Sequence, residues 1–477
     1  FDKLEFKDSF AFLSSSLDNL VKLNKHSKGQ ALQKRENWFK NFRYSNQNPY
    51  VKNLEDLDLL TDKGVYPYDY MNSWEKFQET SLPSKEAFYS KLTEQHISDE
   101  DYERAKMIWN HFNIKDLGEY HDLYLRTDVL LLTDVYENFR DMCLDYYELD
   151  PAHYFTLPNF AWDVMLYMTG IELDLIHDKE MYEMIEKGKR GGMCQVSHKH
   201  AEANNKYMKD YDENIVSAYI SYLDANNLYG LAMSMKLPYK DLKWCSAPSY
   251  DEIMNYNNGE TGYFLEVDLE YPKELHDLHN DYPLAPEVLC VNADMTSEIT
   301  KEIYKAYHEG KELKNEKTAK LILNLNDKAR YVLHIRNLKY YLEQGLKLKK
   351  IHRCVSFLQR EWLKPYIDFN TEKRKKATND FEKDMFKLMN NAVYGKTMED
   401  VRGHIDFELV SDQKRMEKCL NSPTLKHRHI IHENLVGVEK MKATLKLNKP
   451  IYVGVAILDL SKLHMYKFYY DVLKKKY

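Results

Sequence analysis

From Phe381 to Gly395 apolar residues recur at helical spacing, and this stretch most limits what the chain can become. At 3.6 residues per turn, Phe381, Met385, Leu388 and Ala392 form an apolar stripe, while Lys383, Lys387, Asn391 and Tyr394 share another face. The spacing predicts a helix that ends in Gly395 and carries a cation, an amide and an aromatic on one side. Such a face suits an anionic, flat ligand: a phosphate chain for Lys387, a base pair for Tyr394, and a nucleic-acid backbone passing close to Gly395. The plainer alternative is an amphipathic surface helix with a glycine C-cap.

A second segment points the same way. Ile215 to Ile220 is β-branched and aromatic, so Asp224 is expected where a strand ends and the chain turns into a helix. A carboxylate there can hold Mg²⁺ in an open cleft, although a lone Asp at a strand end is more often a helix N-cap. Tyr229, five residues on, falls about one turn into the next element, its ring free to pack under a sugar.

Together, Leu223-Asp224-Ala225-Asn226-Asn227-Leu228-Tyr229-Gly230 and Lys387-Leu388-Met389-Asn390-Asn391-Ala392-Val393-Tyr394-Gly395 resemble motifs A and B of the family B DNA polymerases, D-x-x-S-L-Y-P and K-x-x-x-N-S-x-Y-G. The wording is most similar to the protein-primed branch of Polinton/Maverick-type elements and related viruses. Lys189-Arg190-Gly191-Gly192 resembles that family's Y-x-G-G/A linker, with Lys in place of Tyr. Asn227 stands where many relatives have Ser, Gly230 where many have Pro, and Ala392 where many have Ser; none of these removes a charge or a metal-binding carboxylate.

The resemblance implies an α+β multidomain chain: the C-terminal part of an RNase H-like 3′–5′ exonuclease domain, then a palm of antiparallel sheet with helices, and helical fingers. Residues 1–150 are expected to be partial exonuclease, 151–192 linker, and 193–261 palm with motif A. An insertion resembling terminal protein region 1 follows at 262–350, fingers with motif B at 351–397, a second, β-rich insertion at 398–447, and palm again at 448–477.

The resemblance also implies site roles. Asp224 is the catalytic, metal-binding carboxylate, and the Ala225 carbonyl adds an oxygen ligand for two Mg²⁺ ions. Tyr229, Arg374, Lys375, Lys387, Asn391 and Tyr394 take the nucleotide; Arg190, Gly191, Gly192, Gly395 and Lys396 take DNA. The partners implied are primer-template DNA, dNTPs and a terminal protein primer. Tyr124 and Asp128 resemble the third exonuclease motif, Tyr-x-x-x-Asp, without the carboxylates of the first two motifs. Asp101-Tyr102-Glu103 has D-x-E lettering but reads as helix-start charge after Ser98, a capping box opening the helix of Tyr102, Ala105 and Ile108.

Motif C, a D-T-D turn, has no match; Asp56-Leu57-Asp58 lies too far upstream of motif A. The expectation is that the acidic turn follows Tyr477, that the chain begins inside the exonuclease domain, and that this segment alone is inactive. The rival reading, from another class, is an inactive DNA-binding or scaffold remnant of a mobile element.

Composition sets bounds. The 477 residues, 43% hydrophobic and 30% charged, suit two or three globular domains, with no apolar run near a membrane span or signal-peptide core. Six single cysteines without C-x-x-C suit a reducing compartment, intracellular, in a nucleus or at a viral replication site. Net charge is −7, yet Lys339 to Lys376 holds eleven Lys/Arg against four acids, a basic run placed for phosphate contact or, more plainly, a solvated face. Glu266 and Asp268 form an acidic strand face expected to be solvated, and His427, His429 and His432 a polar hairpin rather than a zinc site. Residues 1–150 read as helical with polar connectors at 46–49 and 82–84, Asp122 to Tyr147 as one helix, 191–237 as the start of the palm sheet, and Lys449 to Lys475 as strand into helix.

Overall fold

The computed structural model describes residues 5–25, 39, 50–61, 64–198, 200–315 and 317–476; the connector expected at 46–49 lies outside them. The helices, in chain order, open with α1 (Leu17–Lys25), α2 (Leu54–Leu60), α3 (Asp99–His111), α4 (Leu117–Tyr147), α5 (Leu157–Thr169), α6 (Lys179–Lys187) and α7 (Leu228–Met233). Strands β1 (Leu237–Trp244), β2 (Thr261–Glu270) and β3 (Glu287–Leu289) precede α8 (Glu298–Tyr307). Then come β4 (Lys320–Ile322), β5 (Lys328–His334), α9 (Ile335–Glu343), β6 (Lys347–Arg360), α10 (Lys364–Lys376) and α11 (Asp380–Thr397). After these come β7 (Ile405–Val410), α12 (Gln413–Leu420), β8 (Leu425–His432), β9 (Leu435–Met441) and α13 (Ile451–Lys467), followed by helical turns to Lys476. No described helix is long and apolar enough to cross a membrane.

The chain divides into two compact units, Phe1–Met168 with Asp368–Ala392, and Thr169–Ile367 with Val393–Tyr477. The first is helical. Its α4 starts at Leu117, earlier than expected, because Asp116 caps it by accepting from the Glu119 N–H at 2.9 Å. Ser98 caps α3 through the Asp101 N–H, and Asp56 belongs to the capping box that opens α2. A buried polar chain ties this unit together: the Tyr147 hydroxyl donates to Asn370 Oδ1 at 2.7 Å, and Asn370 Nδ2 donates to Asn390 Oδ1 at 2.9 Å.

The second unit is built on an antiparallel sheet ordered β1-β6-β2-β5, beside a β3-β4 pair and a β7-β9-β8 sheet. Central β2 buries Phe264, Leu265 and Val267 fully. Gly262 faces Phe357, whose ring lies 2.2 Å from where a Cβ would sit, so only glycine fits this register. The acidic face of β2 is not a solvated one. Glu266 is fully buried and takes Arg353 at 2.8 and 3.1 Å and Arg330 at 3.3 Å; Asp268 meets His352 at 2.8 Å, and Glu270 meets Lys347 and Lys349. Burial works to raise the Glu266 pKa, but its two arginines hold it below the usual carboxylate range. Three of the eleven cations in the basic run, Lys347, Lys349 and Arg353, are therefore spent on β2, while Lys373–Lys376 lie in the last turn of α10, where cations complement the helix dipole.

Two elements differ from expectation. Residues 451–457 form no strand: α13 is helical from Ile451, and every residue from Ile451 to Leu463 is buried. Alternating β-branched residues suggest a strand, but Tyr452, Gly454, Ala456 and Leu458 between them are equally buried, which suits a helix enclosed on all sides. It packs against α6, α7, β1, β5 and α9. Residues 191–227 do not start the sheet either. Among the described residues their one bridge joins Asn204 to Ala218, and Val216, Ile220, Tyr222 and Leu223 are exposed; β-propensity makes no strand where no ladder receives it.

Candidate polymerase site

In the second unit the motif A segment meets the end of the motif B segment, Val393 to Gly395. Asn227 adopts the left-handed conformation (φ 51°), and its side chain accepts from the Gly230 N–H at 3.1 Å, capping α7. This sets Tyr229, half-buried, with its ring 4.6 Å from that of Tyr394 and inclined by 32°. Tyr394 does not offer a bare face for a base; burial, then the neighbouring Tyr229, pushes its phenol pKa up.

The Gly191-Gly192 loop passes beside this pair, with the Gly192 Cβ position 4.0 Å from the Tyr229 hydroxyl. Both glycines are exposed, but Arg190 is not a surface residue: it is 6% exposed, stacks 3.6 Å over Tyr331, and donates to the Val332 carbonyl at 2.7 Å. Expecting Arg190 to touch DNA is thus corrected, because its guanidinium is committed to β5. Lys462, a residue the sequence reading did not single out, donates to the Arg190 carbonyl and, at 3.3 Å, to that of Leu458. Burial draws the Lys462 pKa down to about 8 against the nearby Asp459 carboxylate, which itself accepts from the His334 N–H at 2.9 Å. Only its place in a mostly apolar stretch, three residues after Asp459, could have marked Lys462.

Asp224 and Ala225 are exposed, in the irregular stretch before α7, and no described residue forms a hydrogen bond or ion pair with the Asp224 carboxylate. Among the described residues no three His, Cys, Asp or Glu side chains converge as a metal site. One open carboxylate and an adjacent carbonyl are oxygen donors of the kind that hard divalent cations take.

Helix α11 runs two residues past Gly395, which has no positive φ, so the glycine is not a C-cap. Its buried stripe is Phe381, Met385, Phe386, Met389 and Val393; Leu388 and Ala392 are only half-buried. Lys387, Asn391 and Gly395 form an exposed line at four-residue spacing, and a Cβ at Gly395 would meet nothing within 4 Å. Lys387 has no ion-pair partner among the described residues, whereas Lys383 pairs with Asp380 at 2.8 Å. Arg374 and Lys375 are exposed near the end of α10. Lys396 is tied down: it meets Glu399 at 2.8 Å, and Glu399 also takes Lys449 at 2.7 Å and His404 at 3.1 Å.

In the first unit, Tyr124 and Asp128 sit one turn apart on α4. The Tyr124 hydroxyl lies 2.9 Å from that of Tyr68, and burial raises the pKa of both Tyr124 and Asp128. His427, His429 and His432 lie exposed on β8, with His429 3.6 Å from Glu439.

The sequence model of one family, DNA polymerase type B, organellar and viral, matches residues 1–473, and the chain belongs to that family. Among solved structures, phi29 DNA polymerase in an orthorhombic crystal form is similar at 13% identity and TM-score 0.41, over 85% of this chain and 56% of that one. Phi29 DNA polymerase complexed with single-stranded DNA is similar at 13% identity and TM-score 0.41, over 97% and 57%. The ternary complex with primer-template DNA and incoming nucleotide aligns at 13% and TM-score 0.39, over 85% and 56%. The chain therefore spans a little over half the length of these polymerases. No curated protein sequence matches significantly.

Proposed function

We propose that this chain is the motif A and motif B portion of a DNA-directed DNA polymerase that adds dNTPs to a primer on a DNA template, with the first primer hydroxyl supplied by a terminal protein. The observation that carries this reading is the contact of Tyr229 in motif A with Tyr394 at the end of motif B, in a family B chain. Synthesis is in-line attack of a primer hydroxyl on the α-phosphate of a dNTP with loss of pyrophosphate, and positioning with charge neutralisation supplies the rate.

The residues divide that work. Asp224 with the Ala225 carbonyl would hold Mg²⁺, which neutralises charge developing on the phosphates. Lys387, with Arg374 or Lys375, balances the triphosphate, and Asn391 and Gly395 leave the helix face low for the nucleotide and the DNA backbone. Tyr229 lies under the sugar and excludes a 2′-hydroxyl; Tyr394 fixes the Tyr229 ring from behind. Gly191 and Gly192 let a DNA strand approach it closely. Tyr124 and Asp128 carry the third exonuclease motif, and Lys396 reaches DNA only by leaving Glu399.

The test is primer extension by a polypeptide carrying this chain, on templates of different sequence with Mg²⁺. Template-coded products support the reading. DNA binding with no extension on any template, with the protein folded, would leave the remnant reading instead.

A further inference from the structure

Cys245 directly follows β1, and Cys354 lies within β6. The ladder places Trp244 opposite Val355, so the next pair along it is Cys245 opposite Cys354, and the Cys245 N–H donates to the Cys354 carbonyl at 3.0 Å. The two Sγ atoms are 3.3 Å apart, and both thiols are free. Cys354 is 2% exposed while Cys245 is half-buried, so a reagent in solution reaches Cys245 first. The sequence separation of the two cysteines hides this pairing, and nothing in the polymerase chemistry uses it.

We propose that Cys245 and Cys354 are a site of reversible oxidation, where a small disulfide of the glutathione class is exchanged for a cross-strand protein disulfide. First the Cys245 thiolate attacks one sulfur of the oxidised reagent, forming a mixed disulfide and releasing one reagent thiol. Then the Cys354 thiolate, its proton passed to solvent, attacks Cys245 Sγ; the new S–S bond forms as the second reagent thiolate leaves and takes up a proton. Two protein thiols are oxidised and one reagent disulfide is reduced. Because burial raises the Cys354 thiol pKa, the second step accelerates with pH. The bond would staple edge strand β1 to β6, and β1 is the strand that follows the Tyr229 helix.

The native chain is incubated with oxidised glutathione, quenched with acid, alkylated and mapped by mass spectrometry. Exposed Cys194 and Cys290 are internal controls. The expected course is a glutathione adduct on Cys245 that converts to a Cys245–Cys354 cross-link, at least about tenfold over any other cysteine pair in the folded chain, a preference lost in denaturant. In Cys354→Ser the Cys245 adduct should persist. The proposal is overturned if wild-type Cys245 keeps its adduct while Cys354 stays a free thiol, if Cys354 pairs elsewhere, or if Cys245 stays unreacted while Cys194 and Cys290 react. The wild-type map decides even where a variant does not fold.

Discussion

The side chain of Asn227 occupies the space that a Cβ on Gly230 would need. Its amide nitrogen lies 2.0 Å from that ideal Cβ position, and its Oδ1 accepts from the Gly230 N–H at 3.1 Å. The two departures from the family wording of motif A are thus one change: an Asn cap at 227 requires a residue at 230 that has an N–H and no side chain, which excludes proline. Gly230→Ala alone should destabilise the second unit by about 1–3 kcal/mol through overpacking, and adding Asn227→Ser should recover much of it. Denaturant melts of the four proteins in that cycle measure the coupling; additive effects would mean the cap and the glycine are independent.

The Tyr229 ring lies 4.6 Å from that of Tyr394, and its hydroxyl comes near Gly192. In an extension-competent polypeptide, Tyr229→Val should raise ribonucleotide incorporation relative to deoxyribonucleotide. Competition of the two nucleotides on one template reads this, and an unchanged ratio would remove Tyr229 from the sugar site.

Lys387 is exposed with no ion-pair partner among the described residues, so its charge is available to a ligand. A charge-assisted contact of ~1.5–3 kcal/mol predicts that Lys387→Ala lowers dNTP incorporation efficiency roughly ten- to a hundredfold with duplex affinity nearly unchanged. A loss confined to duplex affinity would place the lysine on template instead.

The Glu399 cluster joins the chain on either side of the β7-β9-β8 sheet, since Glu399 precedes its strands and Lys449 follows them. Burial works to raise the Glu399 carboxyl, but hydrogen bonds from Lys396 and Lys449 outweigh it and bring the pKa down to about 2 from an ordinary 4.5. A depressed carboxylate contributes stability that is full above its unfolded pKa and is lost as pH falls through the folded one. Wild type should therefore lose stability relative to Glu399→Gln between pH 4.5 and 2 and show no such difference in slope above it. Chemical denaturation across that range checks the sign; parallel curves would mean the carboxylate is not held by its lysines in solution.

What could be read from the sequence was local. The period of 381–395 marks α11, Ser98 the start of α3, and Gly262 to Leu269 a strand, because each is determined within one turn or one ladder. Ile215 to Ile220 misled because a strand needs a partner, and composition carries no information about one. Ile451 to Ile457 misled because a uniformly buried helix has no polar face to betray its period. The role of Asn390 was hidden beside Asn391: one turns inward to Asn370, and the other faces solvent. The basic run before motif B looked like a single patch, yet three of its cations answer acids on a strand some eighty residues away, as in Arg353 with Glu266. The 87-residue separation there is invisible to any window.

The central claim is that Asp224, open before the Tyr229 helix, is the carboxylate on which nucleotide addition depends. Its most direct test is single-turnover dNTP incorporation with Mg²⁺ by an extension-competent polypeptide carrying this chain, wild type beside Asp224→Asn, with primer-template affinity measured on both. The account predicts a loss of at least about a hundredfold in incorporation, since a metal-holding carboxylate supplies several kcal/mol, with DNA affinity retained. Equal incorporation by the two proteins would contradict it.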